Sequence, residues 1–255
     1  MADRLERHAL TGSTGSPPAV GIDVVDLDDP RCPGKASDDR FLARILADDE
    51  RRWLETRSGV SADEALWALW AAKEAAYKVV TGLEGRAPVF RHATYRATVE
   101  ELPAPGGSLV PARVRHQGRD IPVRMTRAGR CLVALAWAPG IDAEGGGLPG
   151  DLRWKATELE ALHRARGVPG LDALMSGHLT PDEARAVHSL PSALVRLGAR
   201  HEAAEALARD EADVSIVCAE GPAGRVPPRV YVDGLPTGSA AVSLSHHGGW
   251  GGWAI

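Results

Sequence analysis

Charged side chains interrupt two apolar segments in the first third of this chain. Asp23 lies in "GIDVVD", a run that is otherwise apolar and β-branched, and Glu74 lies between Lys73 and Lys78 in "WALWAAKEAAYKVV". A carboxylate among tryptophans and alanines is costly to bury unless it is paired or metal-bound. Mg²⁺ takes one or two protein carboxylates and completes its shell with water and substrate phosphate. Asp23 and Glu74 are therefore candidate Mg²⁺ ligands.

Each of these residues also has an ordinary interpretation. Glu74 and Lys78 are four residues apart in a helix-forming segment, and such pairs most often form an ion pair on a solvated face. Asp23 can simply close a strand end by bonding to backbone. The metal interpretation depends on the two carboxylates being brought together.

A third polar segment, "SLSHHGGW", lies near the C-terminus. Ser243, Ser245, His246 and His247 end an apolar run and precede two glycines. Hydroxyl, imidazole and backbone N–H groups together suit a phosphate, and glycine lets the backbone approach a ligand closely. The ordinary alternative is a strand that ends in an exposed polar turn.

Composition limits the classes of function. The chain has 255 residues and a formal net charge of -4, so nothing draws it as a whole to nucleic acid or to anionic lipid. Its three cysteines are widely separated, which favours reduced thiols and a cytoplasmic protein. Neither a signal peptide nor a membrane-spanning run is evident in the sequence.

Hydrophobic periodicity predicts an α+β protein. Residues 19–27 read as a strand, 38–55 and 61–85 as helices, and three β-like segments follow up to residue 137. Residues 151–165 read as a helix, two further helical segments follow, and the remainder is β-like. We divide the chain into a flexible lead (1–18), a first unit (19–137), a Gly/Pro-rich linker (138–151) and a second unit (152–255).

The two units show a weak internal similarity. "LADDERRWL" aligns with "LTPDEARAV", and "AAKEAAYKVV" aligns with "GARHEAAEAL". The spacing between the aligned pairs suggests a duplicated α+β unit.

Taken together, the three motifs resemble those of the 4′-phosphopantetheinyl transferases. The family hallmarks stand here as "GID" at 21–23, as "WAAKEAAYK" at 70–78 and as "SLSH" at 243–246. The resemblance implies the fold of this family, in which two similar α+β halves form a pseudo-dimer. It also implies Mg²⁺-dependent transfer of phosphopantetheine from coenzyme A to a serine of an acyl or peptidyl carrier protein, with release of adenosine 3′,5′-bisphosphate.

Residue roles follow from the resemblance. Asp23 and Glu74 would hold Mg²⁺, and Glu74 would also help to deprotonate the serine. Lys78 would neutralise phosphate charge, and Lys73 is a second candidate for that task. The nucleotide end of coenzyme A would contact Ser245, His246, Arg196 and Arg200.

The order of the motifs departs from that of the larger family members, in which the histidine motif comes first. One composite site between the halves is the simplest interpretation, and a monomer is then expected. Asp26 should point away from Asp23, because alternate residues of a strand face opposite sides. A second "GIDAE" sequence, with Asp142 and Glu144, lies in the linker and supplies metal ligands only if the units are assigned wrongly.

Two alternatives to a phosphopantetheinyl transferase stay open. A non-catalytic relative would keep coenzyme A or carrier-protein binding. A metal-dependent phosphohydrolase would need carboxylates or histidines beyond those that the motifs offer. The sequence does not specify the carrier protein.

Overall fold

The computed structural model describes residues 19–57, 62–138, 148, 149, 151–167, 170–218, 220, 221 and 224–255. The predicted lead and nearly all of the predicted linker, including Asp142 and Glu144, lie outside these ranges.

In the first unit the strands are β1 (Val20–Asp26), β2 (Arg96–Val99), β3 (Val110–His116), β4 (Arg119–Ala128) and β5 (Cys131–Trp137), and the helices are α1 (Asp39–Ile45), α2 (Asp48–Glu55) and α3 (Ala62–Glu84). In the second unit the helices are α4 (Leu159–Arg166), α5 (Leu171–Gly177), α6 (Pro181–Ala184) and α7 (Leu190–Leu207). Its strands are β6 (Trp154–Glu158), β7 (Val214–Val217), β8 (Glu220–Gly221), β9 (Gly224–Arg225), β10 (Arg229–Val232), β11 (Leu235–Ala241), β12 (Ser243–His247) and β13 (Trp250–Ala254).

The predicted α+β class is confirmed, but two element predictions are wrong. The single helix predicted over 38–55 is two helices, α1 and α2, which are separated at Leu46 and Ala47. The helix predicted over 151–165 begins as strand β6, because residues Trp154–Glu158 pair antiparallel with β13. Strand pairing thus overrides the local helix propensity of these residues.

The first unit is an antiparallel sheet covered by one long helix. The strand order is β1-β5-β4-β3-β2, and α3 packs across the sheet with its alanines, leucines and valines buried. Strand β1 follows the predicted strand closely and is buried along nearly its whole length. Its position at the sheet edge places Asp23 beside α3 on one side and beside the second unit on the other.

The second unit repeats this plan with one interruption. Its two sheets have the orders β12-β13-β6 and β11-β10-β7, and only Val242 separates β11 from β12 along the chain. If β11 and β12 are taken as one strand, the second unit has the same plan as the first. Its first strand, β6, pairs with its last strand, β13, as β1 pairs with β5, and α7 takes the place of α3. This correspondence supports the predicted duplication, which stays a prediction.

A buried glutamate has the same environment in both units. In the first, Glu50 accepts hydrogen bonds from Ala47 N at 2.7 Å, from Lys73 Nζ at 2.5 Å and from Ala97 N at 2.7 Å. It therefore ties together the start of α2, the middle of α3 and strand β2.

The second unit contains the same arrangement, in which Glu183 accepts from Thr180 N at 3.0 Å, Arg200 Nη1 at 3.1 Å and Ile216 N at 2.9 Å. These contacts join α6, α7 and β7. Glu183 and Arg200 are the residues that the sequence alignment places opposite Glu50 and Lys73, which is a second observation in favour of a duplication.

The two units pack face to face through β1. Ile22 and Val24 form a buried cluster with Ala254 of β13, and a methyl group added at Gly252 would lie 2.8 Å from Val24. The contact between the sheets therefore leaves no room for a side chain at Gly252 and fixes β1 against the second unit.

Candidate functional site

Asp23 is brought to helix α3 by a very close contact between strand and helix. A Cβ atom at Gly21 would lie 2.0 Å from the carbonyl oxygen of Ala75, so only glycine allows this approach. Asp23 is buried, and its Oδ1 accepts a hydrogen bond from Lys78 Nζ at 2.9 Å. Lys78 Nζ also donates to the carbonyl of Ile22 at 2.7 Å. The "GID" and "KEAAYK" motifs therefore meet at one point.

The second unit reaches the same point through the side chains of β12. Ile22 N donates to Ser243 Oγ at 3.0 Å, and Val24 N donates to Ser245 Oγ at 3.3 Å. Ser245 Oγ also donates to Asp23 Oδ1 at 2.9 Å. Both serines are buried, so they bind the free edge of β1 and orient Asp23.

Electrostatics make Asp23 receptive to a cation. Burial raises the pKa of Asp23, Lys78 opposes that rise, and the nearby charge of Glu74 adds to it. Two carboxylates near a single lysine leave excess negative charge, and a divalent cation would remove it.

Glu74 lies on α3 one turn before Lys78, and its side chain is 20% exposed. Its Oε1 is 3.4 Å from Nε2 of His92, which lies on a short 3₁₀ turn, His92–Thr94, after α3. Within the described residues no group of three or more His, Cys, Asp or Glu side chains could hold a metal. The two oxygen donors nevertheless suit Mg²⁺, which is commonly held by one or two carboxylates together with substrate phosphate.

A cleft of about 680 Å³ opens beside these residues, between the two units. Cationic or polar groups on its wall include Lys78, Arg196, Arg229 and His246, and the rest of its lining is largely apolar, with several prolines, valines and alanines. His246 is an exposed residue at the cleft, yet desolvation there lowers its pKa, and Lys78 and His247 lower it further. A neutral imidazole in this position gains a proton more readily once an anion enters the cleft.

Residues 19–106 match the family model of the 4′-phosphopantetheinyl transferase superfamily. Over these residues, about a third of the chain, the protein is similar to this superfamily. The matched segment contains Asp23, Glu74 and Lys78 but ends before the "SLSH" motif. No curated protein matches the chain. Among the described residues, no helix has the length and apolar character needed to cross a membrane.

Two of the predicted coenzyme A contacts have other partners in this structure. Lys73 is 1% exposed and binds Glu50 and the carbonyl of Ile45, and Arg200 binds Glu183 and Glu211. Neither is among the residues that line the cleft. A buried cation already paired with a carboxylate cannot turn to a phosphate without leaving that carboxylate unpaired.

Arg196 is the predicted cation on α7 that does reach the cleft. Its Nη1 donates to the carbonyl of Ile216, and its Nη2 lies 3.6 Å from Cys218 Sγ. Its Nε is buried and has no hydrogen-bond partner among the described residues. The guanidinium therefore keeps one donor without a partner among the described residues, on a side chain that lines the cleft.

Asp26 points away from Asp23, as predicted. Its carboxylate accepts from Gly249 N at 2.8 Å and from Asp28 N at 3.0 Å. Gly248 has a φ of 54°, and a Cβ atom there would lie 2.4 Å from Asp26 Oδ2. Asp26 therefore stabilises the turn between β12 and β13 and lies outside the Asp23–Lys78 contact.

Sequence reasoning did not find His92 or Arg229. His92 stands in a loop whose sequence gives no periodic signal, and Arg229 is one of many arginines. Their proximity to Glu74 and to the cleft depends on how the chain folds back, which local spacing does not encode.

Proposed function

We propose that the protein transfers 4′-phosphopantetheine from coenzyme A to a serine of a carrier protein, with Mg²⁺ as cofactor. One observation carries the proposal. Lys78 of the first unit and Ser245 of the second both bind Asp23, and both line a cleft that also bears His246 and Arg196. The match of residues 19–106 to the 4′-phosphopantetheinyl transferase family model supports phosphopantetheinyl transfer as the general activity.

The reaction exchanges the phosphoanhydride bond of coenzyme A for a phosphoester bond to serine. The serine hydroxyl attacks the phosphorus that carries pantetheine, and the pyrophosphate bond to adenosine 3′,5′-bisphosphate breaks. The serine proton passes to Glu74, directly or through a water molecule. Such displacements are catalysed mainly by positioning and by charge neutralisation.

Each side chain has a separate task in this scheme. Asp23 and Glu74 would hold Mg²⁺, which neutralises the pyrophosphate when bound. Lys78 would stabilise the charge that develops on the leaving group. His246 and Arg196 would anchor the anionic nucleotide end within the cleft. Ser245 keeps Asp23 oriented, so we assign it mainly to the architecture of the site and only secondarily to the nucleotide.

We also propose that residues 19–137 and 152–255 are two repeats that form one composite site within a monomer. The shared strand order and the corresponding Glu50 and Glu183 contacts favour duplication. Because β12 of the second unit binds the β1 edge, no second chain is needed to complete the environment of Asp23. Light scattering that gives a trimer would contradict this part of the proposal.

A Glu74→Gln variant separates an enzyme from a binding module. In an enzyme the variant loses transfer but still binds coenzyme A in calorimetry, because the nucleotide is held mainly by Arg196 and His246. If wild-type protein binds a carrier protein and coenzyme A but transfers nothing, the non-catalytic alternative is correct. The phosphohydrolase alternative has less support, since the described residues offer no cluster of three metal-binding side chains.

A further inference from the structure

The ring of His92 is held between aromatic side chains beside the proposed metal site. It stacks on Trp70 with ring centroids 4.3 Å apart and packs against Phe90 with centroids 3.8 Å apart. Phe90 in turn stacks on Tyr77 at 4.3 Å, and the Tyr77 hydroxyl donates to the carbonyl of Pro88 at 2.9 Å. The aromatic contacts fix the plane and position of the imidazole.

One nitrogen of this ring faces Glu74. His92 Nε2 is 3.4 Å from Glu74 Oε1, and this nitrogen is buried without a hydrogen-bond partner among the described residues. Buried polar atoms are nearly always hydrogen-bonded, so an exception points to a function. Hydrogen bonds in active sites are often long before the ligands bind and shorten in the complex.

We propose that His92 is a positioning residue for Glu74. Its Nε2–H donates to Glu74 Oε1, which leaves Oε2 to face the metal and the incoming serine. This inference rests on the proposed function and adds a residue that none of the three motifs contains.

The physical need for such a residue comes from the length of the glutamate side chain. Glu74 has three rotatable bonds and lies at the partly exposed face of α3, so its carboxylate can adopt several orientations. Groups that hydrogen-bond to a metal ligand fix its orientation, and their loss typically weakens metal binding or activity by about 10- to 100-fold.

Two substitutions distinguish donation from packing. His92→Phe keeps an aromatic ring between Trp70 and Phe90 but removes the donor, whereas His92→Gln supplies an amide donor without the ring. His116→Phe is the matched control, because His116 also stacks on an aromatic ring, that of Tyr95 at 3.8 Å, within the same unit.

The experiment measures Mn²⁺ binding to the coenzyme A complex by electron paramagnetic resonance, with transfer kinetics and thermal melting alongside. We expect His92→Phe to weaken Mn²⁺ binding about 10-fold, with the KM for coenzyme A little changed. His92→Gln should recover most of the loss, although it lacks the stacked ring. His116→Phe should change melting but not Mn²⁺ binding.

A double-mutant cycle with Glu74→Gln completes the test. If His92 acts through Glu74, His92→Phe has no further effect on Mn²⁺ binding in the Glu74→Gln background. Wild-type Mn²⁺ affinity in His92→Phe, or the same loss in both backgrounds, overturns the positioning role while leaving the transferase proposal intact. Wild-type protein that neither binds Mn²⁺ nor transfers overturns both.

Discussion

Replacing each of the two lysines of helix α3 should have opposite effects on stability and on catalysis. Lys73 is 1% exposed and its partner Glu50 is 2% exposed, with Nζ and Oε2 2.5 Å apart. Lys78 is 25% exposed and faces both Asp23 and the cleft. We therefore predict that Lys73→Met loses stability and keeps catalysis, whereas Lys78→Met keeps most of its stability and loses catalysis.

The magnitude for Lys73 follows from its burial. Removing one partner of a buried ion pair costs about 3–5 kcal/mol, because the remaining charge is left uncompensated. For a chain of this size each kcal/mol lowers Tm by about 2–4 °C, so Lys73→Met should melt about 6–20 °C lower than wild type. The folded fraction at low temperature should retain the wild-type kcat/KM.

The expectation for Lys78 comes from its position at the proposed phosphate site. Loss of one group that stabilises transition-state charge costs about 100- to 1,000-fold in kcat. Stability should fall less than in Lys73→Met, because Asp23 keeps the Ser245 hydroxyl and can take up a proton.

The assay is differential scanning calorimetry together with transfer to a carrier protein at a temperature where all variants are folded. Lys155→Met, at an exposed position on β6, is the control and should change neither property. Loss of transfer in Lys73→Met without loss of stability would refute the reasoning, as would full activity in Lys78→Met.

Three further predictions concern packing, thiols and acid. Gly21→Ala should cost about 3 kcal/mol in calorimetry, because its methyl group would collide with the backbone of α3. Cys218 lies on the cleft wall, so it should react with a thiol reagent at neutral pH and be protected by coenzyme A. Cys32 and Cys131 should stay unreactive, because burial raises the pKa of Cys32 to about 11 and that of Cys131 to about 12. His246 has a lowered pKa in the folded protein, so its contribution to stability should be present above about pH 6.5 and be lost as the pH falls below that value.

Each of these predictions has a result that would contradict it. Wild-type melting of Gly21→Ala would mean that strand and helix do not touch at that residue. Equal labelling of all three cysteines would contradict the burial of two of them. His246→Gln should lose less stability than wild type between pH 7 and pH 5, and an unchanged acid dependence would contradict the lowered pKa of His246.

The central pair of motifs could be predicted because each lies on a single regular element. Asp23 interrupts an apolar strand, and Glu74 and Lys78 lie one turn apart on a helix with strong propensity. Once that strand and that helix pack together, the carboxylates and Lys78 are neighbours. Local pattern was therefore sufficient to locate the first half of the site.

The roles of the two lysines could not be separated from local spacing. Lys73 is paired with Glu50, which lies 23 residues earlier in the chain, and nothing in the helix sequence indicates that contact. Arg200 was likewise predicted to bind coenzyme A although it pairs with Glu183. Only the packing of neighbouring helices decides which cations are already neutralised.

Strand β6 and the β12 serines show a similar limit. Trp154–Glu158 contains helix-forming residues, yet it pairs with β13, which lies almost a hundred residues further along the chain. Ser245 was predicted to contact a nucleotide, which stays a prediction, and its hydroxyl also binds Asp23, a contact that the sequence did not indicate. Both contacts join residues that are far apart in the chain, so a short sequence window does not indicate them.

The central claim is tested most directly by intact-protein mass spectrometry of an apo acyl carrier protein incubated with this protein, coenzyme A and Mg²⁺. The account predicts a mass gain of about 340 Da, the mass of one phosphopantetheine, that is lost with EDTA and in Glu74→Gln. No gain on fatty acid, polyketide and peptide synthase carriers, with coenzyme A still bound in calorimetry, would contradict transfer and favour a binding role.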